Sequence, residues 1–328
     1  MESKLYTIEE VKSLIASGKE LILSGHESLL SELPSGNWIG GTMLNFLTDE
    51  GGRYADKQIF VTDFSNYATE SKIINYTTDT LETITENAYD NGFTFLILPA
   101  GQPVHLSFST DAPKYKNLFN NPLIGFVAGV KVENIGIDTA KVFDGKTQTS
   151  GSDIGVAMHI KLPENSVARV EILNIFDQCE AGDDITFPNT GFEVSDCFIN
   201  GEKRNFVEYL KEKEIDTKLP IIANHSGALI NVCVQNVDEE NGTVSFYGPV
   251  FKDTNYKTSE PIADYSKEFS DNMPTVDGKL AFSCNCILNY LYGDLEGTKT
   301  GFVGPATFGE IAYQLLNQTM TYLVIDEY

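Results

Sequence analysis

The sequence predicts an α/β protein of two related domains, each with mixed β-sheets covered by helices. Three observations carry that class. The first is a repeated strand–helix–strand unit. An early copy runs from Leu21-Ile22-Leu23-Ser24-Gly25 to Ile39-Gly40-Gly41-Thr42, and a late one from Leu280–Cys286 to Val303-Gly304. A weaker third runs from Phe95–Leu98, through a helix expected near Lys114–Phe119, to Leu123-Ile124-Gly125-Phe126. Repeated supersecondary units suggest two halves about a pseudo-twofold, although strand–helix–strand units in any α/β chain look alike. The second is a strongly β stretch, Gly129 to Ile175, punctuated by Asp144-Gly145 and Gly151,. The third is composition: 41% hydrophobic residues with 20 Phe and 15 Tyr fill substantial cores in 328 residues,.

The elements follow in order. Thr7-Ile8-Glu9-Glu10 is a capping box that opens a helix with Ile8, Val11, Leu14 and Ile15 on its apolar stripe, ended by Gly18,. Leu21–Leu23 is a short buried strand, and Leu29, Leu30 and Leu33 mark a short helix. Pro34-Ser35-Gly36 then turns the chain into Asn37–Thr42. Ile59–Thr62 and Tyr67–Tyr76 are β-branched and aromatic, hence strands,. Asp79 and Glu82 start a helix that Asn91-Gly92 stops, and Ile154–Met158 and Ala168–Ile175 are further strands. The Gly/Asp/Pro-rich segment between Ala181 and Gly191 is the candidate linker,. Beyond it come a strand at Cys197–Ile199, an amphipathic helix from Phe206 to about Ile215, and strands at Leu219–Ala223, Ala228–Val234 and Thr243–Phe246. Asn241-Gly242 is the turn before the last of these,. Thr321–Ile325 closes the chain as a strand.

Charge excludes some partners. Lys+Arg 23 against Asp+Glu 47 leaves a net −24, which repels phosphate backbones and anionic membranes,. Neither a nucleic acid nor a membrane is an expected partner. No apolar run approaches the roughly 20 residues that span a bilayer, and Met1-Glu2-Ser3-Lys4-Leu5 does not begin a secretory signal,. The five cysteines (Cys179, Cys197, Cys233, Cys284, Cys286) lack framework spacing, so free thiols in a reducing cytoplasm are expected,.

Phe282-Ser283-Cys284, Gly301-Phe302, Gly309-Glu310-Ile311 and Asn317-Gln318-Thr319 before an apolar strand stand in an order and spacing that resemble the end of a FIST domain, a sensory ligand-binding module of bacterial signalling proteins. The resemblance implies a FIST N-like domain at 1–195 and a FIST C-like domain at 196–328, packed sheet against sheet inside helical layers (αββα). It also implies a small polar, amino-acid-like ligand. With no kinase, cyclase or chemotaxis domain attached, signalling would need a separate partner protein, or else the fold is adapted to another purpose. Asn37-Trp38-Ile39-Gly40-Gly41-Thr42 resembles an uncharacterised bacterial family as well.

Each candidate for chemistry has an ordinary structural role beside it. Ser283-Cys284-Asn285-Cys286 is the one nucleophile-rich cluster, and a working thiolate needs a base, cation or helix N-terminus at hand,. His26, His105, His159 and His225 are all far away in sequence, and such cysteines more commonly serve as small buried hydrophobes,. Cys-x-Cys without a second ligand pair does not make a zinc site. Gly36–Thr42 has neither the lysine nor the spacing of a phosphate loop, and no dinucleotide fingerprint is present, so no cofactor is expected,. Trp38 is a core anchor or a flat ligand wall. Glu310 is solvated or paired with a lysine, or, as the resemblance implies, receives a ligand amine. Together these place a binding pocket where two loop tips meet, lined by Trp38, Gly40, Gly41, Thr42, Ser283, Cys284, Asn285, Thr307 and Glu310. The rival expectation is a hydrolase or transferase with Cys284 or Ser283 as nucleophile.

Overall fold

Thr7 starts the first helix as a capping box requires: Glu10 Oε2 accepts from the Thr7 backbone N–H at 2.8 Å, and Thr7 Oγ1 accepts from the Glu10 N–H,. The computed structural model describes residues 3–225 and 227–328.

Three units of the same plan follow one another. The first is β1 (Lys4–Tyr6), α1 (Ile8–Ala16), β2 (Leu21–Gly25), α2 (Glu27–Leu30), β3 (Trp38–Thr42), the hairpin β4 (Asn45–Thr48) and β5 (Gly51–Tyr54), and β6 (Ile59–Asp63). The second is β7 (Glu70–Tyr76), a 3-10 turn at Leu81–Thr85, β8 (Gly92–Pro99), α3 (Pro103–Asp111), β9 (Leu123–Ala128), the hairpin β10 (Val142–Asp144) and β11 (Thr149–Gly151), and β12 (Gly155–Lys161). The third opens with β13 (Ser166–Leu173) and takes an insertion. The insertion holds β14 (Ile185–Thr186), β15 (Gly191–Val194), β16 (Asp196–Ile199), β17 (Glu202–Asn205), α4 (Phe206–Glu212), β18 (Ile221–His225), β19 (Ala228–Val232), β20 (Val234–Asp238), β21 (Thr243–Val250) and β22 (Tyr256–Thr258). The third unit resumes with α5 (Tyr265–Asp271), β23 (Lys279–Cys286), α6 (Ile287–Tyr292), β24 (Gly304–Thr307), the hairpin β25 (Glu310–Ala312) and β26 (Gln314–Leu316), and β27 (Met320–Glu327).

The three sheets have matching orders: β1-β6-β2-β3-β10-β11, β7-β12-β8-β9-β25-β26 and β13-β27-β23-β24-β4-β5. Each has one parallel pair at its centre, β2/β3, β8/β9 or β23/β24, with a helix in the crossover. The other pairings in these sheets are antiparallel, so the mixed α/β class expected from the sequence is what the sheets display. Each hairpin leaves its own unit: β10 pairs with β3, β25 with β9 and β4 with β24. No unit completes its sheet alone.

Side-chain alternation explains the packing. Ile22 and Ile39, Phe95, Ile97 and Phe126, and Phe282, Cys284 and Leu323 point from the three sheets into one shared core,. Their neighbours point outward, where α1 and α2 cover Leu21, Leu23 and Trp38, α3 covers Leu96 and Leu98, and α5 and α6 cover Met320 and Val324. Three sheets of three like units, rather than the two sheets of an αββα arrangement, thus meet at one core inside helical cover. A glycine recurs where the second parallel strand crosses the first. A Cβ on Gly40 would lie 3.2 Å from Leu23 O, on Gly125 1.8 Å from Leu96 O, and on Gly304 1.8 Å from Ser283 O.

The insertion has its own core of Phe187, Phe206, Phe246 and Tyr256 between sheets β17-β16-β14-β22-β18-β19 and β15-β21-β20. The Gly/Asp/Pro-rich segment expected to be a linker lies inside it. Its turn residues separate short strands, with Ile185 and Thr186 paired to Ile199 and Phe198. The position 195/196 falls between β15 and β16. The helix expected near Lys114–Phe119 forms earlier, at Pro103–Asp111, because Pro103 sits at its first turn, where no backbone N–H is needed,.

Candidate functional site

The carboxyl ends of the parallel strands gather at one end of the molecule. Gly129 N–H donates to Thr42 O at 2.9 Å, tying β9 to β3, and Phe308 N–H donates to Val127 O at 3.1 Å, tying the β24 tip to β9. Strand ends of this kind are where open α/β sheets hold ligands, since the chain leaves the sheet there and loops enclose space. Two of the three ends are open.

At the second unit a cavity of about 560 Å³ lies between Ala100, Gly101, Gln102 and His105 on one side and Phe192, Gln235, Ser245, Phe246 and Tyr247 of the insertion on the other. At the first unit a cavity of about 530 Å³ is bounded by Gly25, His26, Glu27 and Thr42, with Tyr54, Lys131 and Lys141. Val130, Ile137, Asp138 and Thr139 line both, so one loop forms the partition. Ile137 is 78% exposed, an apolar side chain held out over open space. Polarity differs between the two. Lys141 is paired with Glu27, and Lys131 Nζ stands 5.9 Å over the Tyr54 ring. In the larger cavity the charged lining groups are Asp138 and Glu193.

His105 stands in the third position of α3. Its Nδ1 accepts from the Gly101 N–H at 3.2 Å, which puts the proton of the neutral ring on Nε2,. Burial lowers its pKa to about 4, so the ring is neutral near pH 7,.

The third end is closed. Glu310 is fully buried, its Oε1 accepting from Thr307 Oγ1 at 3.1 Å and its Oε2 from Thr319 N–H at 3.2 Å and Thr319 Oγ1 at 2.8 Å. Burial raises its pKa to about 8 against those donors,. The insertion supplies the lid: the Cys233 thiol donates to Gln318 Oε1 at 2.8 Å, Gln318 Nε2 to Lys218 O at 2.9 Å, and Asn231 Nδ2 to Asn317 O at 3.1 Å.

Of the residues expected to line one pocket, Asn285, Thr307 and Glu310 come together at this closed end, where Thr307 Oγ1 lies 3.3 Å from Asn285 O and 3.1 Å from Glu310 Oε1, but they do not enclose open space with the others. Trp38 lies on the outer face of its sheet, its Nε1–H donating to Pro34 O at 2.9 Å. Gly40 packs on Leu23 O, and a Cβ on Gly41 would come within 2.8 Å of Ile97. Ser283 Oγ donates to Val303 O at 2.9 Å, and Asn285 Oδ1 accepts from Asn289 Nδ2 at 2.7 Å. Cys284 lies 3.1 Å from Thr321 Oγ1 and 3.7 Å from Gly125 O, with burial pushing its thiol pKa up. A gap beside Ser283, Cys284 and Asn285 is too small to admit water. The two turns do approach each other through Gly129, but Phe308 fills the space: its ring sits where a Cβ on Gly129 would be. Of the nine residues, Thr42 alone lines an open cavity. His105 and the Ala100-Gly101-Gln102 tip were not singled out from sequence, although the tip follows the first strand of the third strand–helix–strand copy and His105 stands two residues after the proline that marks the helix start. Among the described residues no cluster of His, Cys, Asp and Glu is arranged to hold a metal, and no helix is long and apolar enough to cross a membrane.

The chain belongs to a family of unknown function, DUF6976, whose model matches residues 6–326. No curated protein and no solved structure matches it.

Proposed function

We propose that this member of DUF6976 binds a small polar metabolite in the paired cavities at the carboxyl ends of its parallel strands. One observation carries the reading: two adjoining spaces of about 560 and 530 Å³ lie where three sheet ends meet, each in the size range of ligand sites,. An amino-acid-like ligand suits the larger one. Asp138 and Glu193 offer acceptors to an ammonium group, and Leu106, Phe192, Phe246 and Ile137 offer apolar surface. The resemblance of Gly309-Glu310 and Asn317-Gln318-Thr319 to FIST sequences supports the same ligand class. In this reading the protein works in the cytoplasm as a sensor and passes its signal to a separate protein. The net −24 turns it away from nucleic acid and anionic membranes,.

Nucleophilic catalysis at Ser283 or Cys284 has no support in their surroundings. Neither has an imidazole or a carboxylate among its hydrogen-bond partners, and neither faces open space,. Titration calorimetry against the proteinogenic amino acids, repeated on Thr139→Trp, tests the binding reading. Thr139 is exposed and borders both cavities, so the indole should fill the crevice and abolish the heat of binding without unfolding the protein. A ligand that binds the variant as well as the wild type places the site elsewhere.

A further inference from the structure

Two histidines are buried in the second unit, and they differ in one respect. His159 is satisfied on both ring nitrogens, by Tyr76 Oη at 2.9 Å and Thr94 Oγ1 at 2.8 Å. His105 is 4% exposed and satisfied only on Nδ1; its Nε2 has no partner. A buried N–H with nothing to donate to is costly, and such a group in a folded protein calls for an explanation. His105 belongs to the wall of the larger cavity, at the first turn of a nine-residue helix whose N-terminus opens there. Facing it is Phe192, whose ring centroid lies 6.3 Å from that of the imidazole at an interplanar angle of 54°. Phe192 occupies the irregular position of β15, where the register with β21 shifts between Gly191 and Glu193. The surplus residues of this irregularity lie on β21, and Phe192 has no ladder partner there, so its side chain can move without breaking a ladder pair,.

We propose that His105 is the recognition donor of this cavity, giving its Nε2–H to a carboxylate oxygen of the ligand, with Phe192 as the movable cover that packs on the ligand once it has entered. The assignment rests on the binding reading above and adds the group that the site selects. Asp138 and Glu193 repel a carboxylate that enters the wrong way round, so they help to orient it toward the helix end,. A neutral donor accepts this role over the whole range in which the ring stays uncharged.

The test uses the full chain with ¹⁵N-labelled histidine and amides, and two probes that share a ring: sodium benzoate, which carries the carboxylate, and benzylamine, which does not. Benzoate should shift the His105 Nε2–H and Gly101 N–H signals, and benzylamine should leave both in place. Benzoate affinity should fall roughly tenfold or more in His105→Phe, as for loss of a hydrogen bond to a charged group, and recover in His105→Gln, which keeps a donor. Phe192→Ala should speed exchange of the Nε2 proton with solvent. Benzoate that moves the Thr139 and Ser245 amides equally in wild type and His105→Phe would overturn the role of His105 while leaving the crevice as the site. Unchanged Nε2 exchange in Phe192→Ala would overturn the cover. If neither probe moves any cavity residue in the wild type, the binding reading falls and this inference with it.

Discussion

Glu310 gives the most direct test of the physical account. The carboxyl is fully buried, and its folded pKa of about 8 stands above an ordinary value of 4.5. The folded state therefore keeps a proton that the unfolded state releases. Its contribution to stability is complete below pH 4.5 and is lost as pH rises toward 8. Each pH unit in that window is worth about 1.4 kcal/mol, so the loss approaches about 5 kcal/mol by pH 8. Glu310→Gln removes the titration and keeps the shape. Its amide oxygen accepts from Thr319 N–H and Oγ1, and its NH₂ faces Thr307 Oγ1, whose own proton is free to turn to Asn285 O at 3.3 Å. Urea unfolding of both proteins across pH 4.5 to about 8 should show near-equal stability at the acid end. Toward the alkaline end the variant should become the more stable by several kcal/mol. Every other titrating group is common to the two proteins and cancels in the difference. Parallel profiles would refute the claim that burial outweighs the three donors, and would mean that Glu310 is held as a carboxylate.

Other outcomes follow from the same structure. His105 stays neutral in the fold down to about pH 4, while the unfolded chain takes up its proton near 6.5, so stability should fall by about 3 kcal/mol as pH drops between those values,. His105→Gln should flatten that part of a melting-temperature profile, and a profile of unchanged slope would contradict it. Gly125→Ala should cost about 3 kcal/mol or more, because its Cβ would lie 1.8 Å from the Leu96 carbonyl,. Gly18→Ala, at φ +75 with open space around it, should cost only about 1 kcal/mol in the same urea titration,. Iodoacetamide should label Cys179 in the native protein, and all five thiols only after unfolding, since the other four are buried. Native labelling of Cys284, read by mass spectrometry, would show that its surroundings open.

What the sequence disclosed, and what it withheld, divides along the range of the interactions. The capping box at Thr7, the short helix after Cys286 and the Asn241-Gly242 turn are local, and local chemistry sets them. The glycines Gly40, Gly125 and Gly304 were already aligned by their neighbours, and they are equivalent in space because each passes over a carbonyl of the adjoining strand. Aligning Leu23-Ser24-Gly25 with Phe282-Ser283-Cys284 by their serines is one residue out in space, because Leu23 lies beneath Gly40 and Ser283 beneath Gly304. The register of β23 against β27 shifts between Leu280 and Phe282, an irregularity that apolar alternation does not reveal,. The exchange of hairpins was not legible at all. β10 and β25 are three residues each, too short to carry a pattern, and their partners belong to other units.

The same position in the three units has two fates, open twice and covered once, and that asymmetry is where the proposed site differs from the closed end. After β2 and after β8 the chain turns at Gly25-His26 and Ala100-Gly101-Gln102 beside open space. After β23 it turns at Cys286 beneath the insertion. In the Asn317-Gln318-Thr319 motif, the Asn317 carbonyl and the Gln318 side chain bond to the insertion and Thr319 bonds to Glu310, and none of the three lines a cavity. A buried polar turn of this kind holds two bodies in one relative position, because every group left unpaired by a slip would be costly. Fixing the insertion there also fixes the backbone of β15 and β21, which carries Phe192, Ser245 and Phe246 across from His105. On the proposed reading, the residues most conspicuous in the sequence would act on a ligand at one remove: they set the width of a cavity whose own lining is carried by residues that no motif marks.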